Sequence, residues 1–178
     1  MGDISRLQSE ERQNRSEAGQ RIIVVGAGPA GRQVVRSLKS WEMVPVIIDI
    51  NPQSRQFAAL EGVEIHMGDA ASEEILNHAG LASACLAVVA VPDPKVAVQI
   101  ITTIRRLAPS LSLVARSRYN RFSKDLERAG ATVVVDEETL MGEQLSHRIT
   151  DCLANENCTL MACRLAGKKP ASFPDPLT

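Results

Sequence analysis

Ile22-Ile23-Val24-Val25-Gly26-Ala27-Gly28-Pro29-Ala30-Gly31 is the stretch on which the fold turns. Four aliphatic residues without polar alternation fit a strand buried on both faces, as in a parallel sheet. The run leads straight into a G-x-G-x-x-G loop that opens a helix. In such a loop Gly26 permits the tight turn, Gly28 lets a pyrophosphate approach the backbone, and Gly31 lets helix and strand pack closely. The helix start adds unpaired N–H groups and the positive end of its dipole, both suited to an anion.

Five more short aliphatic runs follow at strand-and-helix spacing: Val46-Ile47-Ile48, Val63-Glu64-Ile65-His66-Met67, Leu86 to Val91, Leu111 to Ala115 and Thr132 to Val135. Helix signals lie between them. Asn51-Pro52 and Asp93-Pro94 each read as a cap followed by proline at the first helical position. Ser72-Glu73-Glu74 starts another helix with negative charge in its first turn, and Gly80 can close it. Asn120 can cap a segment ending at Gly130, and a last helix runs from about Glu137 to Leu153 with Met141, Leu145 and Ile149 on one face. The alternation predicts a doubly wound, Rossmann-like α/β fold built on a six-stranded parallel sheet.

That domain is expected over residues 21–153. Residues 1–20 mix acidic and basic side chains without apolar periodicity and read as an arm or linker. Residues 154–178 hold Lys168-Lys169-Pro170-Ala171-Ser172-Phe173-Pro174-Asp175-Pro176 and read as a tail.

Composition narrows the function classes. The 178 residues are 44% hydrophobic and 23% charged, with 20 Lys and Arg against 21 Asp and Glu. No basic excess and only five aromatic residues (one Trp, one Tyr, three Phe) argue against nucleic acid as a partner. Cys85, Cys152, Cys158 and Cys163 form no C-x-x-C pair, and His66, His78 and His147 are not grouped with them, so no metal site is expected. Nothing in the first twenty residues resembles a secretory signal, and no stretch approaches the roughly eighteen apolar residues needed to span a bilayer. A cytoplasmic location is expected.

The candidate site lies along the carboxyl ends of the strands. Asp49, eighteen residues after Gly31, ends the second strand with Ile50 beside it. A carboxylate at that place accepts hydrogen bonds from ribose hydroxyls and repels a 2′-phosphate, which favours NAD(H), AMP, ADP or ATP over NADP. Gly68-Asp69-Ala70 ends the third strand on the same edge and could meet an adenine. Arg116 and Arg118 lie at or just past the end of the fifth strand, where one could stack on a base or contact a phosphate, or form a surface salt bridge. Asp93 is accounted for by helix capping. No catalytic set accompanies the site: Tyr119 lacks a lysine four residues later, and G-x-S-x-G, H-E-x-x-H and Walker-type patterns are missing.

From Arg21 to about Leu153 the chain resembles the N-terminal half of an RCK domain, also called KTN or TrkA-N. The pieces that carry the likeness are Ile22 to Gly31, Val46-Ile47-Ile48-Asp49-Ile50-Asn51-Pro52, Gly68-Asp69-Ala70 with Ile75-Leu76, Val114-Ala115-Arg116, and Leu126 to Asp136. The resemblance implies a nucleotide-sensing module that gates a potassium or other monovalent-cation channel or antiporter at the inner face of a membrane. It also implies a homodimer or higher oligomer and no catalysis. Gly26, Ala27, Gly28, Pro29, Ala30 and Gly31 would take phosphates, Asp49 the ribose, and Asp69 and Ala70 the adenine side, with Ile50 also among the nucleotide-binding residues. Arg116 would reach the nucleotide or a neighbouring subunit. Strand four departs from the family pattern, ending Val91-Pro92-Asp93-Pro94 where a Thr or Ser followed by acidic residues is usual. Two other readings share the glycine loop and Asp49: an NAD-dependent oxidoreductase with its substrate site between subunits, and an S-adenosylmethionine methyltransferase. The apolar helices from Pro94 and from Glu137 are the expected dimer surfaces.

Overall fold

A computed structural model describes residues 21–154. The arm expected over 1–20 and the tail over 154–178 lie outside the described residues, apart from Ala154. The chain divides into two compact units at Thr139–Leu140.

In the first unit the strands are β1 (Arg21–Val25), β2 (Val44–Asp49), β3 (Glu64–Met67), β4 (Leu86–Val89), β5 (Ser112–Ser117) and β6 (Val133–Asp136). All pair in parallel, in the order β3-β2-β1-β4-β5-β6. The helices between them are α1 (Pro29–Ser40), α2 (Ser54–Glu61), α3 (Glu73–His78), α4 (Pro94–Leu107) and α5 (Ser123–Ala129). The order reverses direction at β1 and β4, which creates the crevice where open α/β sheets take their ligands.

Each sheet face has its own core. Ile23, Val25, Val46, Ile48, Leu113 and Ala115 pack under α3, α4 and α5, while Ile22, Val24 and Ile47 pack under α1 and α2 through Val35, Phe57 and Ala58. The alternation along one strand therefore feeds both layers, which is why the central strands β1, β2 and β4 carry no polar period. On the second face Glu61 ties the ends of α1 and α2 together by pairing with Arg36 and Lys39, and those two cations hold its carboxyl below its ordinary range.

Several boundaries differ from the sequence reading. The turn at Asn51-Pro52 precedes the helix rather than starting it: Asn51 Oδ1 accepts from Gln53 N, and α2 begins at Ser54. Strand β4 stops at Val89, although Ala90 N still donates to Val25 O at 2.8 Å. Strand β5 runs on to Ser117 because β6 pairs with it through Ser117 and Asp136, which places Arg116 inside the ladder. Asn120 starts a single 3₁₀ turn, Asn120–Phe122, ahead of α5. Asp93 behaves as expected, with Oδ1 accepting from the amides of Lys95 and Val96.

The expected surplus of apolar surface on α4 is corrected. Ala97, Ile100, Ile101 and Ile104 are buried against the sheet, and only Val96 among its large apolar side chains is exposed. The final helix, α6 (Glu137–Ala154), is different. Leu140, Met141, Leu145 and Ile149 are all exposed, and three of them recur at the four-residue spacing of one helix face. No described helix is long and apolar enough to cross a membrane.

Candidate functional site

The glycine loop forms the centre of the carboxyl edge, and its three glycines stand there for three different reasons. Gly26 has φ +93°, a conformation that side chains rarely adopt, and its amide donates to Ile48 O at 2.9 Å. Gly31 lies in the first turn of α1 against β1, where an added Cβ would sit 1.8 Å from Gly26 O. Gly28 caps α1 with an ordinary φ of −70°, and an added Cβ there would meet nothing within 4 Å. Backbone conformation and packing account for Gly26 and Gly31. They do not account for Gly28, whose bare backbone faces open space at the start of α1.

That space borders a helix start whose backbone donors are not all used. The first turn of α1 has no acidic residue, Pro29 removes one N–H, and the amides of Ala30 and Gly31 remain among the orphan donors of a helix start. Arg32 braces the loop from behind: its Nε donates to Ala27 O at 2.8 Å while its guanidinium lies 5.0 Å from the centre of the Phe57 ring.

Asp49 joins this loop to the end of β2. Oδ2 accepts from Ala27 N at 2.6 Å and from Ser54 Oγ at 2.9 Å, and Oδ1 accepts from Asn51 N at 2.8 Å. A carboxylate offers about four acceptor positions, so roughly one remains, on Oδ1. The carboxylate is therefore a structural clamp with one acceptor position left over. Ser54 is nearly fully buried and was not singled out by sequence reasoning. Its signal was hidden because Asn51-Pro52 read as the helix start, which set Ser54 inside the helix rather than at its mouth.

The remaining expected residues fall around this centre. Ala27 is buried, so only its backbone serves the loop. Ile50 is 73% exposed beside Asp49 and offers a free apolar side chain. Asp69 is exposed and its Oδ1 accepts from Ala71 N in a local turn, while the Ala70 side chain is buried in the core. Arg116 lies on the same edge but is already engaged, donating to Glu137 through Nε and to Ala90 O through Nη1 at 3.3 Å. Arg118 lies instead against the Tyr119 ring. His66 contacts Glu64 on an edge strand away from the loop. Glu137 gave no sequence signal, since it lies 21 residues beyond Arg116 and meets it only through the pairing of β5 with β6.

The chain that carries this glycine loop, strand-end carboxylate and edge arginine has relatives. Residues 22–137 match the family model of the TrkA-N domain. The chain belongs to the TrkA-N family. K(+) efflux antiporter 1 of Arabidopsis thaliana chloroplasts is 31% identical over 117 residues, which is 65% of this TrkA-N chain and 10% of that protein. A putative K(+) efflux antiporter KefB from Alkalimonas amylolytica is 30% identical over 131 residues, covering 73% of this chain and 20% of that protein. The chain thus corresponds to a small part of these relatives. Among solved structures, the TrkA-N domain of the Escherichia coli inner membrane protein ybaL superposes with a TM-score of 0.70 at 24% identity, over 74% of this chain and 97% of that one. The Shewanella denitrificans Kef CTD in its AMP-bound form superposes with a TM-score of 0.68 at 27% identity, over 76% of this chain and 82% of that one. The sheet order and helix layering of this TrkA-N domain are thus those of its family.

Proposed function

We propose that this TrkA-N domain binds an adenine nucleotide, NAD(H) or AMP, ADP or ATP, and acts as a regulatory rather than catalytic module of a membrane potassium or other monovalent-cation transporter. The observation that carries the reading is Gly28. The fold does not need a glycine there, whereas a phosphate approaching the backbone does. Asp49 supports it with one unfilled acceptor position beside the loop, suited to a ribose hydroxyl. The Kef CTD in its AMP-bound form is a relative with that class of ligand, and the antiporter relatives give the class of partner. The site edge holds carboxylates and guanidinium groups that clamp, cap and pair, with none poised as a base beside a nucleophile.

Gly28→Ala is the discriminating variant. Stability is expected to change by no more than about 1 kcal/mol, the scale of a lost helix cap. Affinity for AMP or NADH is expected to fall about tenfold or more, since a methyl group would occupy the volume of a phosphate contact. Calorimetric titration beside a denaturation curve checks both, and unchanged affinity would remove the nucleotide reading. Steady oxidation of NADH with a small carbonyl compound would overturn the non-catalytic part.

The module is further proposed to work as a homodimer through the exposed Met141, Leu145 and Ile149 face of α6. Light scattering at tens of micromolar is expected to give twice the chain mass, and Leu145→Glu to return it to one. A single-chain mass for the unsubstituted protein would contradict this.

A further inference from the structure

Arg116 and Glu137 form a partly exposed pair at the edge of the candidate site, with side chains 23% and 37% accessible. Arg116 comes directly after Ala115 on β5, and Ala115 is paired with Val89 of β4. One residue further along, Nη1 of Arg116 donates to Ala90 O. The Ala90 methyl lies 3.6 Å from the place a Cβ on Gly31 would take, so the guanidinium is one residue removed from the glycine loop. Period-two alternation fixes its face. Leu113 and Ala115 enter the core under α4 and α5, as do Val46 and Ile48. Arg116 and Asp49, at the intervening positions, therefore share the opposite face with α1.

Strands lie about 4.8 Å apart, so the line from Asp49 on β2, across β1 and β4, to Arg116 on β5 measures about 14 Å. A nucleoside monophosphate with its ribose at Asp49 and its phosphate at Gly28 fills only the β2–β1 part of that line. The part over β4 and β5 is reached only by ligand groups beyond the first phosphate.

Resting on the nucleotide reading above, we infer that Arg116 reads the anionic chain beyond the first phosphate, and that Glu137 is a positioning residue that competes with that chain for the guanidinium. Glu137 holds Arg116 at the edge and neutralises it when no second phosphate is present. A nucleoside di- or triphosphate replaces the carboxylate as the partner of Arg116, and Glu137 turns to solvent. A monophosphate leaves the pair intact. Asp136 and Glu138, its neighbours, do not compete: Asp136 accepts from Ser123 Oγ and Thr139 N, and Glu138 accepts from Asn120 N.

The test is titration of AMP, ADP and ATP into the unsubstituted protein, Glu137→Gln and Arg116→Gln. At physiological salt the screening length is about 8 Å, which keeps the lost charge from acting on a distant phosphate. Glu137→Gln is expected to bind ADP and ATP about two- to fivefold tighter, the scale of a partly exposed ion pair, with AMP unchanged. Arg116→Gln is expected to weaken ADP and ATP toward AMP and so narrow the spread among the three, and a denaturation curve checks that both variants fold. A common factor for all three ligands in both variants would overturn the reading of chain length and leave the nucleotide site standing. Absence of binding by all three to the unsubstituted protein would overturn both.

Discussion

Gly31→Ala is expected to lower the stability of the domain by about 3 kcal/mol, at the upper end of overpacking costs. The added Cβ would lie 1.8 Å from Gly26 O and 3.0 Å from Gly26 C. Both are backbone atoms, so no side chain can swing aside to relieve the contact. The start of α1 would have to move off β1, and with it Val35, which is fully buried against Ile22, Val24 and Ile47. Alanine gains about 1 kcal/mol over glycine in helix propensity, which offsets only part of this. A melting temperature lower by about 5–10 °C is the corresponding reading for a chain of this size. A denaturation midpoint within error of the unsubstituted protein would show that α1 lifts freely, and the close helix–strand contact would lose its meaning. Gly28→Ala is the matched control, since the same methyl group three residues earlier meets open space.

The contrast between these two glycines shows where sequence reading succeeds and where it stops. The motif places all three glycines on one edge because spacing along a strand–turn–helix unit is local. The central strands are legible for the same reason: β1, β2 and β4 are continuous aliphatic segments, and parallel order comes from the helices between the strands. Anything decided by two segments meeting escapes. Ser54 becomes a ligand of Asp49 only because the Asn51-Pro52 turn delays the helix by two residues. Glu137 meets Arg116 only because β6 lies beside β5 and prolongs it to Ser117. The helix from Pro94, expected as a dimer surface, buries Ala97, Ile100, Ile101 and Ile104 in the core it shares with α3 and α5 on one sheet face. On α6 the same kind of residues remain exposed. Periodicity reports that a helix has an apolar face, and packing decides whether the chain covers it.

The pairing of roles at each residue also explains why the edge is arranged as it is. On the proposed nucleotide reading, the groups that would contact a ligand are the groups that hold the edge in shape. Asp49 clamps the glycine loop to β2 through Ala27 N, and Arg116 bridges β4 to the first residue of α6. Contacts that must loosen for a ligand to be sensed are better built from partly exposed charges than from buried ones. An exposed pair is worth about 0–1 kcal/mol and can be exchanged, whereas breaking a buried one costs about 3–5 kcal/mol.

Asp49→Ala is expected to weaken binding of AMP or NAD(H) by about ten- to a hundredfold, the worth of one charge-assisted hydrogen bond of about 1.5–3 kcal/mol. Removing the carboxylate takes away the unfilled position on Oδ1, and it also strands two donors, Ala27 N and the buried Ser54 hydroxyl. Leaving buried donors unpaired costs about 1–3 kcal/mol, so stability falls as well and a loss of affinity alone would be ambiguous. Ser54→Ala separates the two effects. It removes the hydroxyl that supports Oδ2 while leaving the Asp49 carboxylate in place, so its affinity loss is expected to stay within a few fold. The charge itself has a second reading, because a carboxylate at this position repels a 2′-phosphate. Asp49→Ala should therefore weaken NADH more than NADPH and bring their affinities together. If the two cofactors keep the same ratio in the unsubstituted protein and in Asp49→Ala, the ribose does not lie at Asp49. The carboxylate is then a clamp on the glycine loop and nothing more.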